Sequence, residues 1–310
     1  MAEIVDVSDW PPSEEPEWMG TRSKVWLLDP QVTDLLWLFK AVRCKEQANG
    51  SVRCFGEDWA EWLAAKAADH LQIPAAEVRL ASWKGHHGVI SRSMLRDANG
   101  QRVADRLEHG NELLQAINPA YDKDQEREAV GYTLGAVWGA LDGIGVPKEC
   151  QPPVSAATDL FAGILMLDAL IANTDRHHEN WGALTFGADR WLAPTYDMGT
   201  CLGFQEPDEE RVRLLDRGGG HGVDMWVKRG RSGHFESQPR LMQLAVEGLA
   251  RVADTVRMHW LERAEAFDLE WWRGTIDSVP LARMSHPARM FAFEIVRLNR
   301  ERLLDANRTR

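Results

Sequence analysis

The chain has 310 residues, of which 44% are hydrophobic and 27% charged, and its formal net charge is −11. This length supports a large buried core, and the ordinary composition excludes a small disulfide-stapled scaffold and a largely disordered chain. The acidic charge argues against a surface that binds nucleic acid throughout, because neutralising phosphates requires a basic footprint. No stretch approaches about 18 uninterrupted apolar residues, and the acidic, proline-rich start is unlike a signal peptide, so we predict a cytoplasmic protein without membrane contact.

The N-terminal third predicts a small antiparallel sheet with one helix. Prolines in WPPSEEPEW block regular structure, so residues 1–19 are expected to be an irregular lead-in. The runs SKVWLLDP and DLLWLFKAVRC are β-prone, and ANGSVRCFG contains the Asn-Gly pair of a tight turn. EDWAEWLAAKAADHL has the apolar spacing of an amphipathic helix, and EVRLASWKGHHGVISRSML returns to a strand-like pattern. Residues 20–95 are therefore predicted to form a sheet lobe.

The four cysteines, Cys44, Cys54, Cys150 and Cys201, show no CxxC spacing. Four cysteines in a chain of this length fit reduced core thiols better than a disulfide framework. Because Cys44 and Cys54 flank a predicted hairpin, a contact between them across the strands is the alternative.

The chain becomes helical after RDANGQR. Four segments have helical period and length: QEREAVGYTLGAVWGALDGI, DLFAGILMLDALIAN, PRLMQLAVEGLARVADTVRMHWLERAEAF and HPARMFAFEIVRLNRERLLDA. The second is apolar on nearly every face, which predicts burial at the centre of the lobe. The expected architecture is α+β, with the sheet lobe joined to a larger helical lobe over residues 96–310.

The stretch NTDRHHENWG, residues 173–182, concentrates polar side chains directly after the most apolar helix. A metal site would use His177, His178 and Glu179, but adjacent residues point apart, and zinc motifs prefer spacings that bring ligands to one face. A solvated helix end with Asn173 as its cap is the default for an isolated polar cluster. The third interpretation is a catalytic loop.

A second loop, YDMG, favours the catalytic interpretation. Asn180 follows Asp175 by five positions, the offset of the kinase signature H-R-D-L-x-x-x-N, and Asp197 follows a predicted hairpin. Phosphoryl transfer needs one carboxylate to orient the hydroxyl, and an amide and a second carboxylate to hold magnesium. Together the two loops are more specific than either alone.

The sheet lobe contains the remaining parts in the expected order. MGTRSKVW would form a turn that covers the phosphates, and Lys40 would bind them. Glu57 or Glu61 on the helix would pair with that lysine. Considered alone, Lys40 would be a surface lysine at a strand end. The ordered set favours phosphoryl transfer.

These motifs resemble those of the HipA-like Ser/Thr kinases, relatives of the phosphoinositide 3-kinase-type fold, from Gly20 to about residue 305. NTDRHHEN is similar to their N-T-D-x-H-x-x-N loop, and DRHHEN also resembles the D-R-H-x-x-N of lipid kinases. LAPTYDMG resembles their L-x-P-x-Y-D element, GTRSK their G-x-Q-P-K phosphate loop, and EWLAAKAADHLQIPAAEVRL their helix and following strand. The resemblance implies a two-lobed protein-kinase-like fold.

The resemblance implies roles for individual residues, with ATP and Mg²⁺ as cofactors. Asp175 would be the catalytic base, and His177 would stabilise charge on the transferred phosphate. Asn180 and Asp197 would bind magnesium, while Lys40 with Glu61, or Glu57 in reserve, would hold the phosphates. The phosphate loop would be Gly20, Thr21, Arg22, Ser23 and Lys24, and the hinge around Ser91 and Ser93 would bind adenine through its backbone. His178 is expected to face solvent or to support its neighbours.

The sequence also departs from that family. GTRSK replaces the usual Gln and Pro, and Glu17 stands near the place of a regulatory serine, either mimicking its phosphorylated state or marking the absence of this regulation. Ser23 is the serine within the loop. The chain begins almost at the kinase core, so it is expected to be a short form whose antitoxin or regulatory partner is a separate protein.

The leading hypothesis is ATP- and magnesium-dependent phosphoryl transfer to a Ser or Thr hydroxyl of a protein substrate, including the toxin of a toxin–antitoxin or defence module. Alternatives are a kinase of lipid headgroups or small molecules, an ATP-binding pseudokinase and, more distantly, a metal-dependent hydrolase. No direct nucleic-acid binding is expected. The basic segment 211–231 is either an acceptor-binding loop or a solvated hairpin.

Overall fold

The computed structural model describes residues 1–13, 24–46, 50, 52–125, 127–217 and 221–308. Its N-terminal elements are β1 (Ile4–Asp6), β2 (Lys24–Leu28), β3 (Leu36–Ala41), β4 (Cys44–Glu46), β5 (Val52–Cys54), α1 (Glu57–His70), β6 (Val78–Trp83) and β7 (His86–Arg92). Five of these described strands form a sheet in the order β1-β6-β7-β3-β2, with β1 parallel to β6 and the other pairs antiparallel.

Successive side chains of β3 point to opposite faces of the sheet, and the two faces pack against different residues. Trp37 and Phe39 are buried on one face in a cluster with Ile90, while Lys40 lies on the other. Helix α1 packs against this second face, where its Leu63 joins the core that includes Val89. This packing places α1 close to Lys40, which is the charged residue among the buried positions of β3.

The expectation of an irregular lead-in over residues 1–19 is wrong for Ile4–Asp6. These residues pair with Leu80, Ala81 and Ser82 of β6 and extend the sheet at its edge. The prolines follow later, where Pro12 makes an isolated bridge with Leu27. The short run Ile4–Asp6 therefore forms an edge strand even though prolines follow it closely.

Cys44 and Cys54 form a disulfide across the hairpin of β4 and β5, so the prediction of reduced core thiols is wrong for these two residues. Both are exposed, and their direct opposition in the antiparallel register brings the sulfur atoms together. The cross-strand contact that the sequence left as an alternative is the one observed. Cys201 is a buried free thiol, and Cys150 is a half-buried one.

The remaining elements form the helical lobe. They are β8 (Arg106–His109), α2 (Gly110–Ile117), α3 (Leu134–Ala140), α4 (Ala157–Ile171), β9 (Gly182–Phe186), β10 (Asp189–Leu192), α5 (Asp208–Asp216), α6 (Val223–Arg229), α7 (Leu241–Leu249), α8 (Asp254–Glu265), α9 (Leu269–Ser278) and α10 (His286–Arg308). Helix α4 is buried along nearly its whole length, as its composition predicts, and α7 and α10 pack against it. Strands β8, β9 and β10 form a small sheet beside the second loop.

Two predicted helices are shorter than expected. Among the described residues of 125–144, only Leu134–Ala140 is helical, because Gly131 has a φ of +86° and the Thr133 side chain caps a helix that starts afterwards. Residues 239–267 form α7 and α8, with a break at residues 250–253. One straight helix of that length would extend about 40 Å, well beyond the roughly 22 Å of α4. The break lets α8 turn back, so that Trp260 contacts Gly163 of α4.

The basic segment 211–231 is neither a hairpin nor one extended loop. Residues 211–216 belong to α5 and residues 223–229 to α6, and residues 218–220 lie outside the described residues. The described part of the chain contains no helix that is long and apolar enough to span a membrane. The α+β prediction of a small, mainly antiparallel sheet lobe with one helix and a larger helical lobe is confirmed.

Candidate active site

The first candidate loop, residues 173–182, begins where α4 ends, and the second is YDMG, residues 196–199. Ala172 has a left-handed backbone with a φ of +54°, which turns the chain sharply out of the helix. Asn173 then folds back, and its Nδ2 donates to Asp168 Oδ1 at 2.7 Å. The Thr200 hydroxyl donates to Asn173 Oδ1 at 3.1 Å, so Asn173 connects this loop to the segment after the second loop.

Arg176 is 2% exposed and holds the first loop in place through buried hydrogen bonds. Its guanidinium donates to both carboxylate oxygens of Asp168 at 2.8 Å, and also to the Asn180 carbonyl and to Thr195 Oγ1. Burial alone would lower the pKa of Arg176, but the Asp168 carboxylate raises it, and the guanidinium stays charged. One buried cation therefore joins α4, the first loop and the segment that leads to the second.

Asp175 and Asn180 are in direct contact within this loop. Asn180 Nδ2 donates to the Asp175 carbonyl at 2.7 Å, which orients the amide and leaves Asn180 Oδ1 without a donor among the described residues. The Asp175 carboxylate is held by a residue that the sequence did not indicate, since His234 Nε2 lies 2.6 Å from Asp175 Oδ1. An ionised carboxylate only accepts hydrogen bonds, so Nε2 of His234 donates.

The surroundings keep Asp175 ionised. Burial would raise the pKa of its carboxyl, but the hydrogen bond from His234 and the charges of His177 and His234 lower it below the ordinary value. Asp197 acts in the opposite direction, which shows that the two carboxylates are close enough to influence each other. A carboxylate with a lowered pKa is available to accept a proton or hydrogen bond throughout the neutral range.

Asp197 in the second loop faces the sheet lobe. It has a φ of +52°, and its carboxylate lies 3.1 Å from Lys40 Nζ and 3.5 Å from Lys24 Nζ. Lys40 also donates to Glu61 Oε1 at 2.7 Å, while Glu61 Oε2 has no hydrogen-bond partner among the described residues. The strand register explains why these charged groups lie close together. Lys24 and Lys40 are opposite each other on β2 and β3, and α1 packs against the same face of the sheet.

Lys40 is buried but remains a cation. Burial lowers the pKa of an ammonium, but the carboxylates of Asp197 and Glu61 outweigh that effect and raise the pKa of Lys40. Glu57, the reserve partner, contacts Arg43 instead, with Arg43 Nε donating to its Oε1 at 2.6 Å. The helix residue that faces Lys40 is thus Glu61.

The two adjacent histidines differ in surroundings. His177 is partly exposed, and its ring centroid lies 5.1 Å from that of His234. His178 is 1% exposed, so the expectation that it could face solvent is wrong. Its Nδ1 lies 2.6 Å from the Tyr121 hydroxyl and its Nε2 has no partner among the described residues, while burial lowers its pKa to about 4. His178 is a neutral packing residue beneath the loop.

The predicted adenine-binding residues lie at the end of β7. Ser91 and Ser93 are both buried, and Ser91 is opposite Leu38 on β3. The Ser93 N–H donates to the Leu36 carbonyl at 2.9 Å, so its carbonyl is the backbone group left for a ligand. Their adenine-binding role stays a prediction. Gly20, Thr21, Arg22 and Ser23, with Glu17, lie outside the described residues.

Sequence reasoning missed two residues of this site, Arg176 and His234. No motif assigns a role to Arg176, although Asp168, the one charged residue of α4 beyond its first turn, signals that a buried partner is required. His234 is 59 positions from Asp175, and no local spacing connects them. Tertiary folding alone brings residues 232–235 beneath the first loop.

The chemistry of the site fits magnesium better than a transition metal. The described residues contain no group of three or more His, Cys, Asp and Glu side chains that could hold a metal ion. Magnesium instead favours a few oxygen ligands together with phosphates and water. Asn180 Oδ1, which accepts no hydrogen bond from the described residues, and the carboxylate of Asp197 are oxygen atoms of the kind that magnesium prefers.

Comparisons with known proteins agree with this geometry. The sequence model of the HipA-like C-terminal domain matches residues 18–271, which is most of the chain. The chain belongs to the HipA-like C-terminal domain family. No curated protein matches the sequence.

Solved structures share the HipA-like fold. The Helicobacter pylori proinflammatory kinase CtkA superposes with a TM-score of 0.73 at 18% identity, covering 99% of this chain and 98% of CtkA. HipA of Shewanella oneidensis MR-1, solved as a toxin–antitoxin complex with HipB and operator DNA, gives a TM-score of 0.54 at 13% identity, covering 96% of this chain and 68% of that chain. These likenesses show that the protein-kinase-like fold expected from the sequence is correct.

Proposed function

We propose that this protein transfers the γ-phosphoryl group of ATP to a Ser or Thr hydroxyl of a protein substrate. The observation that carries the proposal is the position of Lys40 Nζ, 2.7 Å from Glu61 and 3.1 Å from Asp197. This arrangement joins the sheet lobe to the second loop, next to the first loop with Asp175 and Asn180. Membership of the HipA-like family supports the same chemistry.

Each residue has a distinct part in the proposed reaction. Lys40, fixed by Glu61, would bind the α and β phosphates, and Asn180 Oδ1 and the Asp197 carboxylate would hold magnesium. Asp175 would accept the proton of the attacking hydroxyl through the oxygen that His234 does not occupy. His177 would stabilise negative charge near the transferred group. Bound magnesium supplies positive charge that neutralises the phosphates.

The decisive test is phosphate transfer by Asp175→Asn. Wild-type protein with γ-labelled ATP, magnesium and a cell lysate should label Ser or Thr residues of proteins. Loss of the base should reduce labelling by about 100-fold or more, because general-base catalysis contributes on that order. Asp189→Asn is the matched control, since Asp189 is an exposed residue of β10.

Four outcomes would contradict the proposal or one of its parts. Equal labelling by Asp175→Asn would remove the base from the mechanism, and absence of any transfer would favour a pseudokinase. Label that appears in a lipid or small molecule, and in no protein, would assign the second acceptor class. Labelling that depends on Asp175 but persists after all magnesium is chelated would remove Asn180 and Asp197 as metal ligands.

We also propose that a separate protein regulates this activity in the way that a toxin is regulated by its antitoxin. The support is the Shewanella oneidensis HipA structure, whose complex includes HipB. Controlled expression should arrest growth with the wild type and not with Asp175→Asn. Unimpaired growth with an active wild-type enzyme would contradict the toxin role while leaving the phosphoryl transfer intact.

A further inference from the structure

Four exposed cations lie together between helices α6 and α7. This basic patch consists of Lys228 and Arg229 at the end of α6, Arg231 in the following turn, and Arg240 just before α7. Arg231 and Arg240 pair in an isolated antiparallel bridge, and the Arg240 guanidinium donates to the Lys228 carbonyl. The patch is therefore one compact surface.

The patch has no internal counter-charge. Among the described residues, no carboxylate lies within 4.0 Å of the charged nitrogens of these four side chains. Some other cations on the surface do have such partners, as in the pairs of Arg79 with Glu77 and Arg297 with Glu294. A cluster of unneutralised cations on a chain of net charge −11 is a site where an anionic partner is favoured.

The basic patch is directly connected to the catalytic base. Three residues after Arg231, His234 donates to Asp175, and the intervening Gly233 N–H donates to the Thr174 carbonyl at 3.4 Å. Three residues of chain span at most about 11 Å. An extended peptide rises about 3.3 Å per residue, so a side chain about three positions from a hydroxyl at Asp175 could reach the patch.

We infer that the basic patch binds an acidic segment of the polypeptide that carries the acceptor hydroxyl. This inference rests on the proposed phosphoryl transfer and defines its substrate class. Arginine forks match carboxylates in geometry as well as in charge, and three of the four cations are arginines. A long nucleic acid is disfavoured, because four cations neutralise few phosphates and the chain as a whole has a net charge of −11.

The test compares two peptides and two charge-reversed proteins. One fluorescent peptide has glutamates on both sides of a single serine, and the other has glutamines at those positions. Lys228→Glu with Arg229→Glu reverses two patch charges, and neither side chain makes a hydrogen bond or ion pair with another described residue. The matched control reverses Lys45 on β4 and Lys148 after α3, which are also exposed.

The wild type should bind and phosphorylate the glutamate peptide with a KM about tenfold or more below that of the glutamine peptide. The patch variant should lose this preference, while its KM for ATP and its kcat stay near the wild-type values and the control variant keeps the preference. Raising the salt concentration should narrow the difference, because exposed charges are screened.

Direct binding, measured by fluorescence anisotropy, separates this inference from the proposed function. Equal affinity for both peptides, or an unchanged preference in the patch variant, would overturn the inference. A single-stranded RNA of matched charge that displaces the glutamate peptide efficiently would assign the patch to nucleic acid and also overturn it. Patch-dependent peptide binding without phosphate transfer would support the binding of acidic peptides by the patch and refute the proposed function.

Discussion

At the scale of single residues, the most informative contact is the 2.6 Å hydrogen bond from His234 to Asp175. It holds one carboxylate oxygen in place, and in the proposed reaction the other oxygen would accept the proton of the acceptor hydroxyl. Such a bond to an ionised group contributes about 1.5–3 kcal/mol. His234 therefore acts as a positioning residue, since it works through Asp175 and is not assigned contact with ATP.

We predict that His234→Ala lowers kcat by about tenfold or more while the KM for ATP stays near the wild-type value. The acidic limb of the rate profile should also move to higher pH, because the pKa of Asp175 is no longer lowered by this hydrogen bond. His234→Gln, which retains a donor, should recover part of kcat. Steady-state kinetics across pH measure both effects, and an unaltered acidic limb in the alanine variant would refute the role.

His178 gives a separate prediction about stability. Its folded-state pKa of about 4 is below the ordinary 6.5, so the unfolded chain binds the extra proton first as pH falls. Stability is therefore complete above pH 6.5 and is lost as pH falls from 6.5 towards 4. We expect a loss of about 2 kcal/mol, since one pKa unit is about 1.4 kcal/mol and water screens part of the effect.

Urea unfolding at several pH values measures this loss. His178→Asn should flatten the dependence between pH 6.5 and 4, whereas replacing the exposed His86 with Asn should leave it unchanged. A wild-type curve with no such loss, or an equal slope in the His178 variant, would mean that His178 becomes protonated within the fold.

At the scale of elements, the buried pair of Asp168 and Arg176 connects α4 to the first loop. Both side chains are almost fully buried, and removing one partner would leave the other charge without compensation. We predict that Asp168→Ala destabilises the protein by about 3–5 kcal/mol. The double variant Asp168→Ala, Arg176→Met should lose less than Asp168→Ala alone, because no unpaired charge remains.

Denaturant unfolding of the two variants provides this comparison. If the double variant were less stable than Asp168→Ala, the guanidinium contacts with Asn180 and Thr195 would outweigh the cost of an unpaired charge.

Packing against α4 also explains why α7 and α8 are separate helices. Each of these two helices packs against α4. One straight helix over the same residues would extend well beyond α4.

At the scale of the whole molecule, Lys40 joins the two lobes. It extends from β3 of the sheet lobe to Asp197 of the helical lobe, at the place where ATP is proposed to bind. A ligand that binds only the folded state raises the unfolding temperature, so this position can be tested without measuring turnover.

We predict that ATP with magnesium raises the Tm of the wild type and of Lys148→Met, but raises that of Lys40→Met much less. Glu61 and Asp197 lose a partner in Lys40→Met, so its Tm without ligand should also be lower. Differential scanning fluorimetry over a series of ATP concentrations is the measurement. A full ATP shift in Lys40→Met would place the phosphates away from this lysine.

Local patterns in the sequence were sufficient for α1, β2, β3, α4 and α10, and for selecting Lys40, Asp175, Asn180 and Asp197 as an ordered set. These features depend on periodicity and short spacings, which neighbouring residues determine. The edge strand Ile4–Asp6, the break between α7 and α8 and the Cys44–Cys54 disulfide depended on pairing or packing with other parts of the chain. Tertiary structure also decided that Glu61 rather than Glu57 meets Lys40, and that His234 reaches Asp175 from 59 positions away, because contacts at long separation follow from how the elements pack together.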